Sequence, residues 1–138
     1  MKPMTFLLAG SSDLPRPAVG GDGPLFKLGA PSALTTVGAG TLLVALLLPG
    51  LVLRTGPTGA YADTVDTGVN MDATLSSFQV GDSLDLFYVN SVAFASTITA
   101  AAGITLRTAT ANNVVAASTG RILHYVKTGV ATWDLYVI

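Results

Sequence analysis

The stretch Val80–Leu106 constrains this chain most, because it holds three strand-like runs with no room between them for a helix. Ser83–Val89 is rich in apolar and aromatic residues and closes on Asn90-Ser91, while Ala95–Ala100 alternates small apolar residues with Ser and Thr. Two strands joined by a short turn are predicted. A third, Ile104–Thr108, follows across Ala101-Ala102-Gly103, too short a link for a crossover helix, so antiparallel neighbours are expected.

The acids point the same way. All eight are Asp and Glu is absent; the chain has kept a turn and cap residue and discarded a helix former, which favours an all-β class. At 138 residues it is one domain. Only 11% of it is charged, against about 25% in an average soluble domain; a membrane or partner subunits must account for the deficit. Seven scattered Lys and Arg at net charge −1 form no basic stripe, which argues against direct nucleic-acid binding. Without Cys there are neither disulfides nor thiolate metal sites.

Residues 1–33 read as an extended arm ahead of a β-sandwich domain at 34–138. The arm holds Pro3, Pro15, Pro17, Pro24 and Pro31 around Gly20–Gly23, and carries small apolar anchors at Phe6–Leu8 and Leu25–Leu28. Such a segment suits neither a helix nor a central strand. Lys2 followed by apolar Met4–Ala9 imitates a signal peptide, but six residues fall short of the roughly 7–15 required. Thr41–Leu53 poses the membrane question. A span needs about 20 apolar residues, and Pro49-Gly50 interrupts this run, so two buried strands are expected, Thr41–Leu48 and Leu51–Thr55.

Farther on, Asp63–Leu75 is the best helix candidate, capped by Asp63, Thr64, Asp66 or Thr67, with Met71 and Leu75 on one face. Asn113–Ala117 is a short strand. Arg121–Lys127 places Ile122, His124 and Val126 on one face against Leu123 and Tyr125, and in Ala131–Ile138 Trp133, Leu135 and Val137 alternate with Thr132, Asp134 and Tyr136. Many short strands with at most one short helix predict a jelly-roll or Greek-key sandwich.

Chemistry finds little purchase. His124, the one histidine, sits mid-strand without a matching nucleophile motif. Asp63, Asp66 and Asp72 are too sparse for calcium without a final bidentate Glu, so capping and turn duty is expected of them. Neither Gly38–Gly40 nor Gly20–Gly23 completes a phosphate-cradling motif. Tyr88, Tyr125, Trp133 and Tyr136 are read as core or interface. The expectation is no enzyme, and no catalytic, cofactor or metal site.

Arg54–Pro57, Tyr61–Thr67, Val80–Ser83 and Asn90–Leu106 together resemble structural proteins of tailed bacteriophages. Over Gly38–Ile138 the chain is most similar to the jelly-roll cement proteins that decorate and clamp phage heads, such as the Bordetella phage cement protein. The resemblance implies a virion component on the outer capsid surface, partnered by the major capsid protein, with no catalytic residues to carry over. A tail-fibre or spike subunit, with Tyr88 or Trp133 on a glycan, is the competing class; a small membrane protein rests on Thr41–Leu53 alone. Because a strand apolar on both faces needs an outside cover, a dimer or trimer is expected, with Leu43, Ala45 and Leu47, or Leu42, Val44, Leu46 and Leu48, near its contact.

Overall fold

The structure is a computed structural model and describes residues 30–109 and 112–138, placing them in two sheets around one core. The strands are β1 (Ser32–Leu34), β2 (Gly40–Leu42), β3 (Leu51–Arg54), β4 (Tyr61–Val65), β5 (Ser83–Asn90), β6 (Ser96–Thr99), β7 (Ile104–Leu106), β8 (Val114–Val115), β9 (Thr119–Gly129) and β10 (Thr132–Val137). A helical turn, α1 (Val44–Leu47), and a short helix, α2 (Gly68–Thr74), complete the described elements. One sheet runs β1-β3-β5-β9-β10-β7, the other β2-β4-β6-β8.

From β1 to β9 the chain changes sheet at every step. Strands of like direction therefore stack side by side: β1, β3 and β5 are parallel, with Leu34, Arg54 and Asn90 in one register, and β2, β4 and β6 are parallel, aligning Gly40, Asp63 and Ile98. β9 then pairs antiparallel with both β5 and β10, and β10 holds β7 parallel.

This overturns the antiparallel pairing expected among β5, β6 and β7. β5 and β7 lie in one sheet and β6 in the other, and none of the three pairs with another. Links as short as Ser91–Ala95 and Ala100–Gly103 rule out a crossover within a sheet, but they suffice to step between sheets packed about 10 Å apart.

Thr41–Leu48 is likewise not a strand. It is the end of β2 followed by α1, and its buried residues leave the spacing of two after Leu42 and Val44, the next being Leu47, three positions on. Leu and Ala favour the helix, and the Asp66 carboxylate accepts the Val44 N–H at 2.9 Å, tying down the start of the turn. Pro49-Gly50 ends the turn as expected and β3 follows. With the strand goes the argument that put this segment at an oligomer contact.

The helix is where Met71 and Leu75 require it, both buried, but it begins later than expected. Asp63 and Thr64 belong to β4, and Thr67 caps α2, its Oγ1 accepting the Asn70 N–H at 3.2 Å. The last two strands match their alternation: Leu123, Tyr125, Trp133, Leu135 and Val137 face the core. Ser32 and Ala33 are already sheet members; the anchors at Phe6–Leu8 and Leu25–Leu28 lie outside the described residues.

Candidate assembly surface

Alternation along β3, β5, β9 and β10 buries one side of the larger sheet and turns the other outward, where the register lines up side chains from separate strands into rows. Leu51, Phe87 and Ile122 align across β3, β5 and β9. Ile122 then exchanges backbone hydrogen bonds of 3.0 and 2.9 Å with Ile138. Beside this row run Ala33, Leu53 and Val89. On the other side run Asp85, His124 and Tyr136, with Arg107 next to Tyr136 at the far edge. Phe87 is 51% exposed, Tyr136 37% and Ile138 62%, so no described element covers them. An apolar strip several strands wide on a charge-poor chain is a candidate interaction face.

The polar groups of that face lie to one side of the apolar row. The His124 imidazole Nδ1 contacts the Asp85 carboxylate, and its ring lies 5.9 Å from that of Tyr136. Arg107 pairs with Asp134 at 2.9 Å, which raises the guanidinium's already high pKa. A groove of about 480 Å³ opens beside them, lined by Arg107, Thr108, Ala109, Tyr136 and Ile138 among others.

Behind the face a buried polar network fixes the crossings between sheets. Arg54 is fully buried and donates through Nε to Asp63 at 2.7 Å, through Nη2 to Asp63 at 3.1 Å and to the Gly38 carbonyl, and through Nη1 to the carbonyls of Leu34, Thr36 and Thr55. Asp63 also accepts the Gly40 N–H and the Tyr88 hydroxyl. In the same register on the next strand, Asn90 accepts the Tyr61 hydroxyl at 2.6 Å and donates to the carbonyls of Phe94, Val115 and Ala116. Burial pushes the Tyr88 hydroxyl far above the usual phenol range, so it stays protonated and donates.

At the opposite end of the sandwich Asp72 gathers Lys127, the Ala131 N–H at 2.8 Å and Trp133 Nε1 at 2.8 Å. The hydrogen bond from Lys127, and next that from Ala131, hold its carboxyl below the usual range. Here Gly68 and Gly103 pass so close to the Ala131 carbonyl that a Cβ would sit 2.1 and 2.4 Å from its oxygen.

The structure thus disperses the residues singled out in the sequence. Asp63, Asp66 and Asp72 serve Arg54, the N–H groups of Val44 and Thr67 with the Asn70 amide, and Lys127 respectively. Among the described residues no group of three such side chains could hold a metal ion. Tyr88, Tyr125 and Trp133 are buried, and of the four aromatics only Tyr136 reaches the outer face. Gly38–Gly40 forms the link into β2, with Gly38 at φ +92°; Gly20–Gly23 lies outside the described residues. Sequence reasoning missed the face itself, although Leu51/Leu53, Phe87/Val89 and Tyr136/Ile138 each carry it at a spacing of two. No family profile, curated protein or solved structure matches the chain.

Proposed function

We propose that this chain is a structural virion protein, a cement protein on the outer surface of a tailed-phage capsid that clamps neighbouring major capsid subunits. The observation that carries the reading is the outward strip of Leu51, Phe87, Ile122 and Ile138, an apolar surface that gains most by being covered in an assembly. The resemblance over Gly38–Ile138 supplies the kind of assembly. The chain ahead of Ser32 contributes reach, since ordering a Pro-rich segment costs less entropy than ordering a Gly- and Ser-rich one. Contact area added between capsid subunits resists the outward pressure of packaged DNA. The jelly-roll relation rests on the resemblance and the two-sheet body; the parallel stacks β1-β3-β5 and β2-β4-β6 depart from jelly-roll winding, and the proposed role does not depend on it.

One observation favours a tail fibre or spike instead. Parallel strands that climb alternately through two sheets build elongated shafts as readily as compact caps, and Tyr136, rather than Tyr88 or Trp133, would then meet a glycan. A membrane role finds no support in α1 or α2, since no helix among the described residues is long and apolar enough to cross a bilayer.

Copy number decides between head and tail. A stained gel of purified particles with this chain near the abundance of the major capsid protein is the expected result; a few copies per particle would transfer it to the tail. Deleting residues 1–29 is expected to leave a folded domain that no longer binds capsids, and full-strength binding by that variant would remove the arm from the mechanism.

A further inference from the structure

We propose that the outward face of the larger sheet mates with the same face of a second copy, about a two-fold axis running along the strands between β9 and β10. The argument is one of self-complementarity. Across β5, β9, β10 and the residue that follows β7 one row reads Asp85, His124, Tyr136, Arg107: an acid at one end, a base at the other, two rings between, Arg107 being held beside β10 by its N–H on the Leu135 carbonyl at 2.8 Å. The axis reverses each row, so Asp85 of one copy meets Arg107 of the other and His124 meets Tyr136. Each already has a partner in its own copy, His124 for Asp85 and Asp134 for Arg107, yet both keep a solvent-facing side, Asp85 58% and Arg107 52% exposed.

The next row matches in shape. Ile122 falls on Ile138 of the other copy, and Phe87 on β5 falls where the chain runs on from the end of β7 towards Ala109. That is the mouth of the groove lined by Arg107, Thr108, Ala109, Tyr136 and Ile138. Each copy therefore offers an exposed aromatic knob and a hole for the other's. Sheets packed face to face keep their strands nearly aligned, as this axis requires.

Size sets the strength. Four strands at about 4.8 Å spacing and three or four rows cover a face of about 20 Å by 20 Å, below the roughly 800 Å² per partner of a standard interface. A weak, transient dimer is therefore expected. The pairing takes up part of the strip on which the virion reading rests: if the chain is a cement protein the dimer is a two-armed clamp whose capsid contacts come from the remaining surface, and the pairing stands if the chain acts elsewhere.

Sedimentation of the full chain over a concentration series tests it, with two charge variants, Asp85→Arg and Arg107→Asp. Each variant alone faces like charge against like at both ends of the row and is expected to be monomeric. In a one-to-one mixture each mixed pair brings opposite charges together again at both ends, one end with its signs exchanged and the other native, so the mixture is expected to dimerise as the wild type does. Phe87→Asp is expected to weaken the wild-type dimer at least about 30-fold, the loss of one hot-spot residue. A wild type monomeric up to about 1 mM, variants that dimerise undiminished, or a mixture that stays monomeric would each overturn the proposal. Particle copy number, which decides between head and tail, is unaffected by any of these results.

Discussion

Replacing Arg54 with Met removes the guanidinium and keeps most of the volume. What is left behind is the Asp63 carboxylate, fully buried and still accepting from Gly40 and Tyr88, with its cation gone. Breaking a buried pair from one side costs about 3–5 kcal/mol. The carbonyls of Leu34, Thr36, Gly38 and Thr55 lose their donor as well, but they are part-buried and regain water. Loss of the cation above the Tyr61 ring, now 4.7 Å from its centroid, adds about 0.5–2 kcal/mol. The sum is about 5 kcal/mol, a large share of the 5–15 kcal/mol typical of a domain, and at about 2 kcal/mol per molar it lowers the urea midpoint by about 2.5 M. A double-mutant cycle followed by Trp133 fluorescence isolates the pair. With both charges removed, in Arg54→Met with Asp63→Asn, the loss should fall short of the summed single losses by about 2 kcal/mol. Additivity within about 0.5 kcal/mol would refute the claim that the two side chains act as a unit.

Three further outcomes are expected. Gly68→Ala sets a gain of about 1 kcal/mol in helix propensity against a Cβ 2.1 Å from the Ala131 oxygen; the clash wins, and a net loss of about 1–3 kcal/mol in denaturant melts is the result, a gain being incompatible with the close approach. Tyr125 is fully buried, and its hydroxyl meets no partner among the described residues, so Tyr125→Phe should leave stability unchanged or raise it by up to about 1 kcal/mol, whereas a loss above that would mean the hydroxyl is satisfied. Asp72, its carboxyl held low chiefly by Lys127, contributes stability that is present above the unfolded carboxylate value near 4 and fades as pH falls through the lower folded value; acid unfolding below about pH 4, read by the neighbouring Trp133, should be shallower in Asp72→Asn, and an unchanged acid limb would assign it to other groups.

The second half of the chain was legible because its strands are half-buried: Leu123/Tyr125 and Trp133/Leu135/Val137 announce a core face by alternation, and the two strands are neighbours in sequence and in space. The first half was not. A strand that leaves for the opposite sheet has the same alternation as one that turns back, so nothing in Ser83–Asn90 or Ser96–Thr99 betrays which sheet each joins. Arg54 was opaque for a related reason. The dense turn residues after it were visible, but its task, collecting carbonyls from a loop some 16 to 20 positions earlier, depends on parallel stacking that local spacing does not encode. In Thr41–Leu53 hydropathy alone spoke; the choice of a helical turn was made by Asp66, a residue 22 positions away from the N–H it accepts. The outward face was spelled by alternate residues in four separate strands and became one surface only once their register was set.

The grip of Arg54 also defines a load path. Tension on the chain ahead of Ser32 arrives at β1, three residues held along a single edge by β3, and an edge strand that short would peel away one hydrogen bond at a time. The carbonyls of Leu34, Thr36 and Gly38 are anchored from behind by one guanidinium that is itself rooted in the neighbouring strand and braced on Asp63 across the sandwich. Once β1 gives way, the pull therefore meets a rivet that shares force between both sheets, and rupture there requires several bonds to fail together. Yield would come in two steps, a soft one at the edge and a stiff one at Arg54.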